Sequence, residues 1–393
     1  MIHVRPVEED DGAAVAGLRA EAFNDPARTR HAPPTSWVGC LDGEVVATLD
    51  ARPTAQYLGG RPVPTAAISG VVVAPKARGR GMSGRLLTEV HAQLASAGIA
   101  LATLWPSSIA PYARVGYAPA GQRLRHSLPL AHLPQRGGDD VVRETEPTDA
   151  LASCYESFAR ANSGMFARGP SDWRRLMTGT DTSPVQVWSA RRAGAVVGYV
   201  VLTQETASGP MPFTWSQRDG HYNYDLICRD LVWSDAEAAR SLLGFLAGFA
   251  PMAQVVHWTG PMHDPLVTLL RGQQPAVSSA YRWMSCLLDV PVALRARGWP
   301  ADATCDVVLT VQGQSQQYGL RLRVAGGDAV VDEVPTGTTA VTVDAGALAA
   351  LYTGWLSPAD AVRTGQLRGT TPKDVSSLTA CLAGPSPWTL DFF

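Results

Sequence analysis

The chain has 393 residues, more than one hydrophobic core ordinarily holds, so two or three domains are expected. Its 33 basic and 35 acidic residues give a formal net charge of −2, without the basic excess of nucleic-acid-binding or membrane-surface proteins. Hydrophobic residues make up 46% of the chain, which favours a packed globular protein over a disordered one.

The cysteine pattern and the hydropathy both favour a cytoplasmic protein. No apolar run approaches the roughly 18 residues that span a bilayer, and the N-terminal segment has no apolar stretch typical of a signal peptide. The six cysteines are widely spaced and form no CxxC pair, so we expect buried free thiols in a reducing compartment. These residues are Cys40, Cys154, Cys228, Cys286, Cys305 and Cys381.

The first part of the chain, residues 1–135, alternates strand and helix patterns. Alternation of this kind predicts an α/β domain in which strands lead into helices. The predicted elements are a turn and strand at Asp42–Ala51, a strand at Ala66–Ala74, a helix at Leu86–Ala97 and a strand at Ile99–Trp105. A segment rich in proline, glycine and aspartate, Pro134–Asp140, then predicts a linker.

The second part, residues 141–288, repeats this order and indicates a duplicated fold. The predicted elements are Val141–Glu144, Asp149–Ala161, Ala195–Gln204, its antiparallel partner Tyr224–Trp233, the helix Ala236–Phe249 and the strand Gln254–Trp258. Where the first part has a glycine-rich turn, this one has Ser234 and Asp235, which are typical helix caps. If the second part is a copy, we expect it to lack a phosphate-binding turn.

The third part, residues 289–393, predicts a small α+β domain with strands first and helices last. The strands are predicted at Cys305–Val311, Tyr318–Val324 and Ala340–Val343, and the helices at Ala345–Tyr352, Pro358–Thr364 and Lys373–Cys381. The chain ends with two prolines and three aromatic residues between Pro385 and Phe393. Such an end is expected to dock against the protein.

The clearest functional signal is a strand that runs into a basic, glycine-rich turn and then a helix. Backbone N–H groups at such a helix start bind a pyrophosphate, the glycines allow close approach and the arginines add charge. The strand residues are Val71, Val72 and Val73, and the turn comprises Arg78, Gly79, Arg80, Gly81, Met82, Ser83 and Gly84.

The same turn also matches the GxGxxG pattern of dinucleotide-binding domains. That pattern requires its glycines directly after the strand and an acidic residue about 20 positions later. Here Pro75–Arg78 intervenes, and the next predicted strand ends at Leu104-Trp105-Pro106 without an acid. We therefore favour a different pyrophosphate ligand.

The segment from Arg78 to Ser83 resembles the acetyl-CoA pyrophosphate motif of the Gcn5-related N-acetyltransferases (GNAT). Further along, Tyr112, Gly116 and Tyr117 resemble the Y-x-x-x-G-[FY] segment of the same family. The resemblance implies acetyl-CoA as cofactor, Tyr112 as the general acid and a cofactor or substrate contact at Ser107.

The complete chain is similar to the Eis family, in which two GNAT units precede a sterol-carrier-like domain and an aromatic C-terminus. The segments Leu351–Pro358 and Gly365–Gly369 fit the sterol-carrier-like part. The resemblance implies tandem GNAT folds, with mixed twisted sheets flanked by helices, and an α+β sterol-carrier-like domain. It also implies a homo-hexamer, acetylation of aminoglycosides and other small-molecule amines, a link to antibiotic resistance, and the terminal carboxylate of Phe393 as catalytic base.

The resemblance places six residues in the substrate pocket: Phe23, Asp25, Trp37, Trp105, Asp391 and Phe392. Family members that act on aminoglycosides have an acid just before the terminal phenylalanine, where this chain has Phe392. Fewer acids and more aromatic surface favour an amine with an aromatic or apolar body over a polycation.

Two other classes of function stay open from the sequence. The pocket could perform amine chemistry without acetyl-CoA, such as a condensation, or the chain could be a non-catalytic binding protein, as its lipid-carrier-like third part suggests. A metal site is not expected, because His257 and His263 are six residues apart around Gly260-Pro261, unlike an HExxH helix.

Overall fold

The structure is a computed structural model that describes residues 2–23, 35–134, 137–179, 184–206, 224–270, 272, 274–313 and 317–393. Its contacts divide the chain into two compact units. The first unit contains residues 1–121, 282–387 and 392–393, and the second contains residues 122–281 and 388–391.

The N-terminal part contains strands and helices in alternation, as its sequence pattern predicts. The strands are β1 (Ile2–Pro6), β2 (Ser36–Leu41), β3 (Glu44–Leu58), β4 (Arg61–Val73), β5 (Leu101–Leu104) and β6 (Ala118–Pro129), and the helices are α1 (Gly12–Phe23), α2 (Met82–Ser96) and α3 (Ile109–Ala113). A short 3-10 turn, Pro75–Ala77, separates β4 from the glycine-rich segment.

The middle part repeats strand and helix with different lengths. Its strands are β7 (Asp140–Glu144), β8 (Gln186–Arg192), β9 (Ala195–Thr206), β10 (Tyr224–Trp233), β11 (Ala253–Gly260) and β12 (Ala276–Leu287), and its helices are α4 (Asp149–Ala161), α5 (Pro170–Met177) and α6 (Ala236–Ala247). The predicted antiparallel pairing of β9 with β10 is confirmed, with Trp233 opposite Gly198.

The C-terminal part begins with α7 (Val290–Ala296), which Asp289 caps by accepting the N–H of Val292 at 2.9 Å. It continues with strands β13 (Cys305–Gln312), β14 (Gln317–Ala325), β15 (Asp328–Val334), β16 (Thr342–Asp344) and β17 (Leu367–Arg368), and with helices α8 (Ala345–Thr353), α9 (Pro358–Arg363) and α10 (Pro372–Cys381). The five strands form one sheet in the order β15-β14-β13-β16-β17.

The main sheet of the first unit is mixed, with β1 to β5 side by side in chain order. β4 and β5 are parallel, whereas residues Met284–Leu287 of β12 pair antiparallel with β5. Helix α2 buries Met82, Leu86, Val90 and Leu94, a spacing that puts one apolar face against the sheet.

Parallel pairing between β4 and β5 ends at Ile68 and Leu104. Beyond that point β4 continues to Val73 and pairs with β3 alone among the described strands. The register of β3 and β4 also shifts between Asp50–Ser69 and Thr48–Val72, so that Gly70 and Val71 stand opposite one residue in a bulge. This divergence opens the end of the sheet.

The sheet of the second unit has the order β6-β11-β10-β9-β8-β7. β10 and β11 form its parallel pair, as β4 and β5 do in the first unit, and their pairing ends at Cys228 and Trp258. Helix α6 packs on this sheet through Leu242, Leu243 and Leu246, which are almost fully buried.

The two compact units group the chain differently from the three predicted domains, 1–135, 141–288 and 289–393, whose bounds stay a prediction. The C-terminal part belongs to the same unit as the N-terminal part because Leu58, Val63 and Leu101 share one hydrophobic core with Val290 and Leu294. Residues 282–287 also belong to the first unit, whereas residues 388–391 belong to the second.

All six cysteine side chains are buried and free, as predicted. Within the described residues, no helix is long and apolar enough to cross a membrane.

His91 on α2 gives the first unit a measurable dependence on pH. Its Nε2 lies 2.9 Å from the Tyr117 hydroxyl, and burial lowers the pKa of the imidazole to about 4. The unfolded histidine takes up a proton below pH ~6.5, whereas the folded one does so only near pH 4. The free energy of unfolding therefore decreases as the pH falls between these values.

The variant His91→Gln lacks the imidazole, so the part of this pH dependence that comes from His91 should vanish. The free energy of unfolding, measured by urea titration from pH 7 to 4, should fall less steeply in the variant, by up to ~1.4 kcal/mol per pH unit. Parallel curves would contradict the assignment.

Candidate active site

The divergence of β4 and β5 opens a cavity of about 380 Å³ in the first unit, the first cavity. Its floor is formed by Ile68 to Val71 of β4 and by Leu104 at the end of β5. The other lining residues come from α1, from β3, from the segment around α3 and from the chain terminus: Arg19, Phe23, Asp50, Trp105, Ser107, Tyr112, Phe392 and Phe393.

One wall of the first cavity is aromatic. The ring of Phe392 stacks on Trp105 with centroids 5.1 Å apart and planes inclined by 27°, and the ring of Phe393 lies 6.3 Å from the same indole. The predicted docking of the aromatic end is therefore seen for these two residues, and the wall suits an apolar ligand body.

Tyr112 stands on the short helix α3 and is 9% exposed. Its ring meets the edge of Tyr117 at 6.0 Å, and the backbone N–H groups of Val115 and Tyr117 both donate to its carbonyl oxygen. Burial raises the pKa of the Tyr112 phenol, so the hydroxyl keeps its proton throughout the neutral range. A group in this state can donate a proton inside the cavity.

Sequence reasoning missed an ion pair in the first cavity. Arg19 is 5% exposed on α1, and its Nη2 donates to Asp50 Oδ1 at 2.6 Å. Ser36 also donates to this carboxylate oxygen. The signals were present in the sequence, because Asp50 interrupts an apolar strand and Arg19 is a lone charge within the buried stripe of an alanine-rich helix.

Gly70 lies directly against this ion pair. Its φ is +60°, and a Cβ built there would lie 3.2 Å from Asp50 Oδ2 and 3.7 Å from Arg19 Nη2. The bulge thus requires glycine both for its left-handed backbone and for its close approach to the carboxylate.

The glycine-rich turn follows β4 after the short 3-10 turn Pro75–Ala77 and has the geometry of an anion cradle. Gly79 and Gly81 have φ near +75°, and a Cβ at either would meet open space. Gly81 is the N-cap of α2 and has no side chain to offer, and the first helical bond runs from Arg85 N to Gly81 O. The N–H groups of Met82, Ser83 and Gly84 are therefore uncapped within the helix, as a pyrophosphate site requires.

The arginines of the turn are exposed, and one of them braces it. Arg78 Nε donates to the carbonyl oxygen of Val73 at 3.2 Å, which ties the turn to the end of β4. Arg80 is fully on the surface beside the two glycines. The residues present fit the pyrophosphate of acetyl-CoA by charge and by backbone geometry.

Most of the predicted site residues lie together. Those that line the first cavity are Val71, Phe23, Trp105, Ser107, Tyr112, Phe392 and Phe393. Val72 and Val73 continue β4 towards the turn that contains Arg78, Gly79, Arg80, Gly81, Met82, Ser83 and Gly84. Met82 differs from its neighbours, because its side chain is buried in the core and only its backbone can contact a ligand.

Two predicted substrate residues among the described ones, Trp37 and Asp391, are not in this group. Trp37 on β2 packs against the hydrophobic core of the first unit and does not line the cavity. Asp25 lies outside the described residues.

Asp391, which was predicted to lie in the substrate pocket, does not line the first cavity. Asp391 belongs to the second unit, where Arg168 Nε donates to its Oδ1 at 3.2 Å and Tyr155 donates to its Oδ2 at 3.4 Å. Arg168 also forms a two-pronged ion pair with buried Asp230. A carboxylate with little access to water needs such a cation, so the ion pair with Arg168 holds Asp391 in this position.

Comparison with known proteins identifies the domains. Two family models described as acetyltransferase (GNAT) domains match residues 3–120 and 164–295, and a model described as a sterol carrier protein domain matches residues 290–390. The chain therefore belongs to the Gcn5-related N-acetyltransferases, with two such domains followed by a sterol carrier domain. The predicted fold class, tandem GNAT folds plus a sterol-carrier-like α+β domain, is confirmed.

The resemblance to the Eis family is also confirmed. The N-acetyltransferase Eis of Mycobacterium tuberculosis is 27% identical over 96% of both chains, and an uncharacterized N-acetyltransferase of Streptomyces avermitilis is 27% identical over 100% of this chain and 99% of its own. A crystal structure of a Gcn5-related N-acetyltransferase from Anabaena variabilis superimposes over the whole of both chains with a TM-score of 0.89 and 25% identity. Eis1 from Mycobacterium abscessus shares the fold, with a TM-score of 0.80 at 23% identity.

Gly70→Ala should destabilise the protein more than a left-handed backbone alone explains. A non-glycine residue at positive φ costs about 1–2 kcal/mol, and the new Cβ would also press on Asp50. Gly43→Ala is the matched control, because Gly43 has φ +88° and open space around its Cβ position. Urea unfolding should show the larger loss of unfolding free energy for Gly70→Ala. Equal losses would show that contact with the ion pair is unimportant.

Proposed function

We propose that this protein transfers the acetyl group of acetyl-CoA to the amine of a small molecule bound in the first cavity. The observation that carries the proposal is the continuity of the site along β4. Val71 lines the cavity together with Tyr112, and the uncapped glycine-rich turn begins at Arg78, five residues after Val73. A ligand with a pyrophosphate at one end and a reactive group at the other would span this distance along the strand.

Acetyl-CoA, when bound, supplies an acetyl group activated as a thioester. The N–H groups of Met82 to Gly84 hold the pyrophosphate, and Arg78 and Arg80 add positive charge. Residues 69–73 have a described strand partner on one side only, so their other edge is free to bind the extended pantetheine arm and to polarise the acetyl carbonyl.

Tyr112 acts as the general acid in this proposal. Transfer breaks the bond between carbon and sulfur, and the leaving sulfur gains a proton from the Tyr112 hydroxyl. The raised pKa of the phenol supports this role, because the proton is present before the reaction and remains available in weakly basic solution.

The C-terminal carboxylate of Phe393 acts as the base that takes a proton from the attacking amine. An unperturbed terminal carboxyl has a pKa of about 3.3–3.7, which makes it a weak base in water. The aromatic wall of Trp105, Phe392 and Phe393 supports the role, because removal of water from a carboxylate raises its basicity.

The acceptor is an amine with an aromatic or apolar body. Among the described residues of the first cavity, Asp50 is the one carboxylate side chain, and Arg19 already pairs with it. A polycation such as an aminoglycoside would need several free acids, whereas Phe23, Trp105 and Phe392 offer apolar surface. Resistance to aminoglycosides is accordingly not part of the proposal.

The proposal includes a homo-hexamer in the cytoplasm, as the Eis resemblance implies. Its support is the domain layout shared with Eis over nearly the full length of both chains. Native mass spectrometry would give the number of subunits directly, and any other number would overturn this part alone.

Tyr112→Phe separates binding from transfer. Calorimetry should show that wild type and variant bind acetyl-CoA equally, since the phenol does not contact the cradle. Thiol release with a panel of arylalkyl amines should fall about 100- to 10,000-fold in the variant, the usual contribution of a general acid. Exposed Tyr281, which does not line the cavity, provides Tyr281→Phe as control.

Each outcome of this experiment decides something. If wild type does not bind acetyl-CoA, the proposed acetyl transfer is rejected, and amine chemistry without this donor is favoured. Binding of acetyl-CoA without thiol release on any amine would favour a non-catalytic binding protein. Full activity of Tyr112→Phe would reject the tyrosine as acid.

The terminal carboxylate can be moved without removing the aromatic ring. One glycine added after Phe393 keeps the ring but shifts the carboxylate by a residue, so turnover should collapse while acetyl-CoA binding stays intact. Phe393→Leu is the matched control, because it keeps the carboxylate in place and removes the contact with Trp105. Steady-state thiol release should remain substantial in Phe393→Leu. If the chain with the added glycine were more active than Phe393→Leu, the tail would contribute packing only.

A further inference from the structure

The second unit contains its own cavity, of about 300 Å³, the second cavity. It is lined by the C-terminal half of α4, the end of β10, the end of β11 and the tail residue Trp388. The size is at the lower limit of pockets that bind small molecules in proteins.

The second cavity is the topological counterpart of the first. Each lies where a parallel pair of strands separates, beyond Ile68 and Leu104 in one unit and beyond Cys228 and Trp258 in the other. Each also receives the first long helix of its domain and residues of the C-terminal tail. Both copies of the duplicated fold therefore have a cavity at the position where the first cavity is proposed to bind the acceptor amine.

The second unit has no uncapped glycine-rich turn between β10 and α6. Helix α6 follows β10 after Ser234, and Asp235 Oδ1 accepts the N–H groups of Glu237 and Ala238 at 3.0 and 2.9 Å. The carboxylate, which also pairs with Arg192, takes up N–H groups at this helix start, whereas the corresponding groups of α2 are uncapped. The second cavity is thus suited to binding without acetyl transfer.

The lining of the second cavity combines aromatic rings with one buried acid. Phe158, Trp233, Trp258 and Trp388 contribute the rings, and Phe158 meets the edges of both Trp233 and Trp388 at 6.4 and 6.0 Å. Trp388 is held in place, because its Nε1 donates to Asn162 Oδ1 at 2.9 Å. Rigid aromatic walls favour a ligand with a flat or apolar body.

The acid is Asp264, which is 9% exposed and lines the cavity. Its Oδ2 accepts the indole N–H of Trp258 at 2.8 Å, and its Oδ1 accepts the N–H of Leu266 at 2.9 Å. A carboxylate has about four acceptor positions, so it can take a further donor. Burial raises the pKa of Asp264 and the two N–H donors oppose this, so a cation in the cavity would stabilise the ionised form.

We propose that the second cavity is a separate, non-catalytic binding site for a small organic ammonium ion with an aromatic or apolar body. The ammonium pairs with Asp264, and the aromatic walls contact the body and attract the positive charge through their ring faces. The inference goes beyond the acetyl transfer proposed for the first cavity and needs no acetyl-CoA.

Ala161 allows the cavity to be blocked without disturbing the core. It is the last residue of α4, is exposed to solvent and lines the cavity, so Ala161→Trp places an indole in the opening. Ser153→Trp is the matched control, because Ser153 is exposed on the same helix and does not line the cavity. Near-ultraviolet circular dichroism and acetyl-CoA binding would verify the fold of each variant.

The test compares 2-phenylethylamine with 2-phenylethanol, which has the same shape without the charge. Calorimetric titration of the full chain without acetyl-CoA should show a binding site for the amine in wild type and in Ser153→Trp. The affinity of this site for the amine should be at least 10-fold lower in Ala161→Trp. At that site the amine should bind at least 10-fold more tightly than the alcohol in wild type, and Asp264→Asn should remove this preference. The first cavity is unaltered in every variant, so any binding there cancels in the comparison.

Identical titrations for wild type and Ala161→Trp would overturn the proposal. So would equal affinity of wild type for the amine and the alcohol, because apolar contact alone would then explain binding. If Asp264→Asn does not fold, these two comparisons still decide the matter.

Discussion

β4 and β5 run side by side as far as Ile68 and Leu104, and the loss of pairing beyond that point determines where everything else in the site can lie. The divergence leaves one edge of residues 69–73 without a described strand partner and opens the first cavity at the same place. The bulge at Gly70 fits the same constraint, since it bends β4 towards the turn and brings the strand against Asp50. The glycine-rich turn, the strand edge without a described partner and the first cavity therefore follow one another along β4.

The second unit shows what this architecture does when the cradle is lost. β10 and β11 separate in the same way, and a cavity again forms where they part. The start of the following helix differs, because an aspartate caps α6 whereas α2 begins at a glycine without a side-chain cap. Because a helix start can hold either its own carboxylate or an external anion, the capped start of α6 is less suited to an anion than the uncapped start of α2.

Local patterns were enough to predict most elements and the functional turn. The helix over Asp149–Ala161 and the strand Tyr224–Trp233 lie where the pattern placed them, because periodicity and capping are local properties. The contact of Asp391 with Arg168 was not predicted, since the two residues are 223 positions apart in the chain. The pair of Arg19 and Asp50 was missed for a similar reason, as only the packing of α1 on β3 brings the two charges together.

The sequence by itself determined the class of chemistry: an order of strand, glycine-rich basic turn, helix and tyrosine that specifies a donor site within some fifty residues. These features depend on neighbouring residues, so they can be read from the chain. Only the tertiary structure decided which aromatic and charged groups share a cavity, that Asp391 is buried beside Arg168, and that the second unit keeps a cavity of its own. Burial and long-range pairing depend on contacts between distant segments, and no local pattern encodes them.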